Sequence, residues 1–165
     1  MTANEENRRT IIVRDADAGE LDLARRLMRE YVDSLGLDLS FQGFEEEMAG
    51  LPGGYAPPGG ALFLAFVDGQ AAGCAAVRRL GDGTAEMKRL FVRDAYRGLG
   101  LGSALGRATV ERARELGYRS IKLDTLSIMT AAIALYRSLG FREVEAYRHN
   151  PLDGAKYFEL ELSGA

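Results

Sequence analysis

The chain is poor in metal-binding and redox-active side chains: its 165 residues include one cysteine, Cys74, and one histidine, His149. A lone cysteine forbids an internal disulfide and any multi-cysteine metal cluster, and a lone histidine forbids a histidine-rich one, so no metal is expected. The cysteine usage fits a reducing compartment, with the cytoplasm as the default expectation. A nucleophilic pair of Cys74 and His149 is disfavoured, because Cys74 lies in the apolar run 71–77, where a thiol behaves as a small buried side chain. No run approaches the ~20 apolar residues of a membrane span, so no membrane association is expected. Residues 1–10 are polar, carry no signal-peptide core and read as a loose tail. Nor is there a surplus of positive charge: the net charge of −3 gives no footing for tracking nucleic acid. Any anion site must therefore be local.

What is present suits one globular domain over residues 11–162, with 47% hydrophobic and 27% charged residues and too little chain for two ordinary domains. Residues 11–13 read as a strand, after which Asp15 or Asp17 can cap a helix that Gly36 stops. Ser40 can cap a second helix through Phe41, Phe44 and Met48, followed by a glycine- and proline-rich loop over 50–60. Strands at 61–67, 71–79 and 85–92 are separated by the turn signals Asp68-Gly69 and Gly81-Asp82-Gly83. A third helix over about 101–116 ends at Gly117, a strand follows at 120–124, and a fourth helix over 130–139 ends at Gly140. Two closing strands are expected at 141–146 and 157–162. The sum is a mixed α/β sheet, hairpin-rich in its first half.

The stretch Arg97-Gly98-Leu99-Gly100-Leu101-Gly102 joins the apolar run Leu90-Phe91-Val92 to a helix starting near Ser103. The first N–H groups of a helix lack internal partners and sit at the positive end of its dipole, so a strand, a glycine loop and a helix start favour phosphate. Glycines at 98, 100 and 102 would let a diphosphate approach the backbone, and Arg97 could add a guanidinium fork. A Walker A loop is excluded, because none of the three lysines, Lys88, Lys122 and Lys156, follows the glycines. A dinucleotide fingerprint needs a third glycine where Leu105 stands, although Asp124 partly mimics its ribose-binding acid.

The loop resembles the Gln/Arg-x-x-Gly-x-Gly/Ala signature of the GCN5-related N-acetyltransferase (GNAT) family. Glu86 to Val92 is similar to that family's central strand, and Ala132-Ile133-Ala134-Leu135-Tyr136 with Gly140-Phe141 to its Ala-x-x-Leu-Tyr…Gly-Phe segment. The resemblance runs from about Ile11 to Leu162. It implies a single-domain, mostly antiparallel sheet of six to seven strands flanked by about four helices. It also implies acetyl-coenzyme A as co-substrate, a primary-amine acceptor that is a small molecule or a protein, and a homodimer. A non-catalytic acyl-coenzyme A-binding regulatory module is the alternative, with an NAD-type nucleotide domain behind it.

By the same resemblance Glu86 is the general base and Tyr136 the acid beside the sulfur. Period-two alternation puts Glu86 on the face of Leu90 and Val92, and partial burial would raise its pKa. The plainer reading pairs Glu86 with Lys88 or Arg89 on the surface, and that of Tyr136 packs its ring in the core. Leu90, Phe91, Val92, Arg97, Gly98, Leu99, Gly100, Leu101, Gly102 and Ser103 would contact the cofactor, with a backbone N–H near Phe91 or Val92 stabilising the oxyanion. Many relatives carry Asn where this chain has Met129, whose thioether lacks an amide's donors; the Thr125 hydroxyl, or that of Ser127, is the nearby substitute. The family's acceptor pocket corresponds to 34–42 and 147–156, where Asp38 or Asp153 could hold a cation and Arg148 a carboxylate. His149 reads as a turn residue that could line this pocket.

Overall fold

The alternating apolar stretches form strands and the amphipathic ones helices in the computed structural model, which describes residues 8–38 and 43–162. In chain order the elements are β1 (Ile11–Asp15), α1 (Leu21–Leu35), α2 (Phe44–Ala49), β2 (Ala61–Val67), β3 (Gln70–Gly81) and β4 (Thr84–Val92). Then come α3 (Leu101–Glu115), β5 (Ser120–Leu126), α4 (Thr130–Ser138), β6 (Arg142–Val144) and β7 (Ala155–Glu161). The strands form one sheet in the order β1-β2-β3-β4-β5-β7-β6, antiparallel throughout except between β4 and β5. The expected α/β class, strand number and helix number are all found.

Local chemistry accounts for the boundaries. Asp17 caps the 3-10 turn Ala18–Glu20 that leads into α1: its carboxylate accepts from Gly19 N at 2.9 Å while Glu20 accepts from Asp17 N at 3.0 Å, a capping box. Gly36 ends α1 at φ 62°, a left-handed conformation that costs glycine little. The Ser40 cap falls outside the described residues; α2 begins at Phe44 behind Gly43, with no side-chain cap. Thr10, expected in the tail, exchanges hydrogen bonds with Asp68.

The sheet separates two apolar cores. On one face Phe63, Val77, Met87, Ile121, Leu123 and Phe158 pack under α3 and α4 with Leu101, Leu105 and Tyr136. On the other, Leu62, Leu64, Cys74 and Ala76 pack under α1 and α2 with Leu27, Met28, Phe44 and Met48. Cys74 is fully buried there, its thiol donating to the Arg89 carbonyl at 3.3 Å, and burial pushes its pKa up to about 12. It is an inert core residue.

Two irregularities in the central strands shape the site. First, the β3–β4 register slips between Cys74 and Ala76, so that Cys74 faces Phe91 while Ala76 faces Lys88, and Arg89 takes a left-handed φ of 60°. This β-bulge reverses the alternation: Ala85 and Met87 face α3, Glu86 and Lys88 the opposite side, yet Leu90 and Val92 face α3 again. Glu86 and Leu90 therefore lie on opposite faces, contrary to strict period-two counting. Second, the parallel β4–β5 ladder covers only Thr84↔Ser120 to Glu86↔Lys122. Beyond it the strands splay and open a gap through the sheet.

Candidate active site

A cavity of about 60 Å³ occupies this gap. Leu90, Thr125, Met129 and Tyr136 line it from the α3/α4 side, and Tyr31, Lys88, Asp124 and Asn150 from the α1/α2 side. It passes from one face of the sheet to the other.

On the α3/α4 side the glycine loop ends in a bare helix start. Gly98 and Gly100 both take φ 81°, and a Cβ on either would meet nothing within 4 Å. Gly100 is the N-cap of α3 and no side chain caps it, so the N–H groups of Leu101, Gly102 and Ser103 precede the first intrahelical bond, Ala104 N to Gly100 O at 3.0 Å. Open space and unpartnered N–H groups fit a diphosphate. Gly102 also has a packing reason: its Cβ would lie 3.3 Å from Leu135, so it spaces α3 from α4. Leu101 is buried, Leu99 packs partly on the core, and Arg97 is exposed and ion-paired to Asp94 at 2.9 Å. Val92 packs under α3, whereas Phe91 points away and packs on Tyr31 with ring centroids 5.8 Å apart.

Tyr136 is held by Phe141 and Phe158, with ring centroids at 6.0 and 6.3 Å, and reaches the cavity wall. Burial raises its pKa well above the ordinary phenol value, so the hydroxyl keeps its proton at neutral pH. The Thr125 hydroxyl donates to the Met129 sulfur at 3.6 Å. Met129 thus lines the cavity and accepts from the hydroxyl expected to replace the missing amide.

Glu86 differs most from expectation. It is fully buried and clamped: Oε1 accepts from Arg78 at 3.0 and 3.1 Å, and Oε2 accepts from Tyr147 at 2.7 Å and from Arg148. Burial pushes its pKa up, but the Lys88 charge, the Tyr147 bond and Arg148 outweigh it and leave it below the ordinary carboxylate range. The expected upward shift is reversed, and with it the argument for a near-neutral base. Arg148, expected to hold a substrate carboxylate, holds this one.

Lys88, expected only as a surface partner of Glu86, and Asp124, expected only as a mimic of a ribose-binding acid, both line the cavity, together with Tyr31, for which no site role was expected. Lys88 is 7% exposed, and burial, opposed mainly by Glu86, lowers its pKa to about 8. Arg89 beside it is paired to Glu47 at 2.9 Å. Asp124 accepts one hydrogen bond, from Asn150 Nδ2 at 3.3 Å. His149 and Asp153 are exposed and outside the cavity wall, while their neighbours Asn150 and Leu152 line it. The available signal was Glu86, Lys88 and Arg89 together in an otherwise apolar central strand. Among the described residues no cluster of metal-binding side chains occurs, and no helix is long and apolar enough to cross a membrane.

This fold and gap define an acyltransferase scaffold, and residues 22–141 match the Acetyltransferase (GNAT) family. The chain is 42% identical over 146 residues to an uncharacterized N-acetyltransferase of Schizosaccharomyces pombe, covering 87% of this chain and 90% of that one. It is 39% identical over 99 residues to human N-acetylaspartate synthetase, covering 59% of this chain but 33% of the human protein. The structure of yncA from Salmonella typhimurium with its cofactor acetyl-CoA superposes with a TM-score of 0.66 at 20% identity, covering 94% and 95% of the two chains. The protein belongs to the GNAT family and is an N-acetyltransferase of that family.

Proposed function

We propose that the protein transfers an acetyl group from acetyl-coenzyme A to a small primary amine by direct attack, with both partners bound at once. The observation that carries this reading is the cavity between β4 and β5, open to both faces of the sheet. The glycine loop and Tyr136 lie on one side of it, and buried charged residues on the other. Acetyl-coenzyme A would supply the thioester whose carbonyl carbon the amine attacks. The N–H groups of Leu101, Gly102 and Ser103 would hold the diphosphate, and the unpaired β4 edge beyond Glu86 would receive the pantetheine arm and polarise the carbonyl. The amine loses one proton to solvent before attack and a second as the C–N bond forms and the C–S bond breaks, while the Tyr136 hydroxyl gives its proton to the departing sulfur and takes one back from solvent. Glu86 acts here as a positioning residue, fixing Tyr147 and Arg148 and through them the segment that carries Asn150.

A panel of amines incubated with acetyl-coenzyme A, read by release of free thiol, tests the reading; aspartate belongs in it because of the name of the human relative. At least one acceptor is expected to release thiol, and Tyr136→Phe should lower kcat about 10²-fold with coenzyme A affinity unchanged. Tight coenzyme A binding with no acceptor in any class would instead mark a non-catalytic acyl-coenzyme A module.

A further inference from the structure

We infer that the acceptor is a zwitterion, an amine that also carries a carboxylate as a free amino acid does, held between Lys88 and Asp124. The inference rests on the acetyl-transfer reading for its place in the reaction, but its argument is register and charge. Glu86 pairs with Lys122 at the last rung of the β4–β5 ladder. Two residues further along each strand, on the same face, stand Lys88 and Asp124, and both line the gap. A cation and an anion thus flank the acceptor-side mouth.

The pair has the chemistry of a receptor rather than of a closed ion pair. Asp124 takes its one hydrogen bond from Asn150 and makes no ion pair among the described residues, so a carboxylate oxygen remains for an incoming ammonium. Lys88 is nearly buried in the cavity wall, on the side it shares with Tyr31, Asp124 and Asn150, and a desolvated ammonium binds a carboxylate more strongly than one in water. The surroundings favour an anion at this end. Arg78, Arg89 and Arg148 add three positive charges on this side, against the carboxylates Glu86 and Glu47 that hold them. A simple alkylamine offers Asp124 an ammonium but brings no carboxylate to the Lys88 side of the mouth. An amino acid answers both residues.

The test compares each of a set of amino acids, aspartate, glutamate, alanine and phenylalanine, with its α-carboxamide. Two readouts are taken: thiol release from acetyl-coenzyme A, and thermal stabilisation of the coenzyme A-bound protein. The acid form of at least one is expected to exceed its amide at least tenfold in kcat/KM and to stabilise the complex where the amide does not. Lys88→Met should erase that acid-over-amide ratio, Lys88→Arg should keep part of it, and Asp124→Asn should raise KM more than it lowers kcat. A purely structural role for these residues would not move the ratio. Equal use of acid and amide, or a ratio that survives Lys88→Met, overturns the inference while leaving acetyl transfer standing. Acids that stabilise the complex without being acetylated would uphold the zwitterion site and overturn the transfer reading.

Discussion

Glu86 shows how a single residue changes meaning between sequence and structure. The family resemblance implies a base at this position of the central strand; the same glutamate with Arg78, Tyr147 and Arg148 around it is a clamped anion. Arg78 faces Glu86 across the β3–β4 hairpin, but Tyr147 and Arg148 lie some sixty positions away in the chain, and nothing local in the sequence announces that half of the clamp. Its removal should be felt first in stability. Glu86→Gln leaves two arginines facing a neutral amide, and we expect a loss of about 3 kcal/mol in urea unfolding at neutral pH, in the range for breaking a buried ion pair. The sign with pH follows from the lowered folded-state pKa. The carboxylate's contribution is complete above the ordinary glutamate value and fades as pH falls through the lowered one, so the gap between wild type and variant should narrow toward acid. A variant of unchanged stability but much reduced turnover would return Glu86 to the role of direct proton carrier.

At the scale of elements, the starts and stops named from the sequence were legible because their signals are local: Asp17, offered with Asp15 as a cap, Gly36, Asp68-Gly69 and Gly140 each act within a few residues. The bulge in β4 was not, because it depends on the partner strand. Gly73 on β3 stands beside it, opposite Val92: a Cβ there would lie 2.4 Å from the Phe91 carbonyl oxygen, so the close approach of the two backbones next to the slip requires glycine. The slip sends Leu90 and Val92 toward α3 and keeps Lys88 on the α1/α2 side, so the site's two-sidedness rests on it. Gly73→Ala must therefore move backbone, not merely a side chain. We expect roughly 2 kcal/mol of destabilisation, measured by denaturant unfolding. Acetyl transfer should fall with it even at temperatures where the variant is fully folded. Wild-type stability and turnover in Gly73→Ala would mean that the bulge accommodates a methyl group and does not set the alignment of the cavity.

For the whole molecule, the order of hairpins, glycine loop and closing strands was enough to name the fold class, since each connection is short and the apolar periods are clear. The cavity was not legible, because it arises where two strands that are distant in sequence stop pairing, and the end of a ladder leaves no mark in either strand. What the glycine loop binds is the property on which the molecule's chemistry depends, and it can be tested without knowing the acceptor. A ligand present at 100 times its Kd stabilises the folded state by about 2.7 kcal/mol if it does not bind the unfolded chain. For a domain of this length each kcal/mol raises Tm by about 2–4 °C, so saturating coenzyme A should raise it by roughly 5–10 °C. NAD at the same concentration should leave Tm where it was, because Leu105 stands where a dinucleotide loop needs its third glycine. The reverse pattern, protection by NAD and none by coenzyme A, would mean that the bare start of α3 holds a different diphosphate and that the splayed strands receive no thioester.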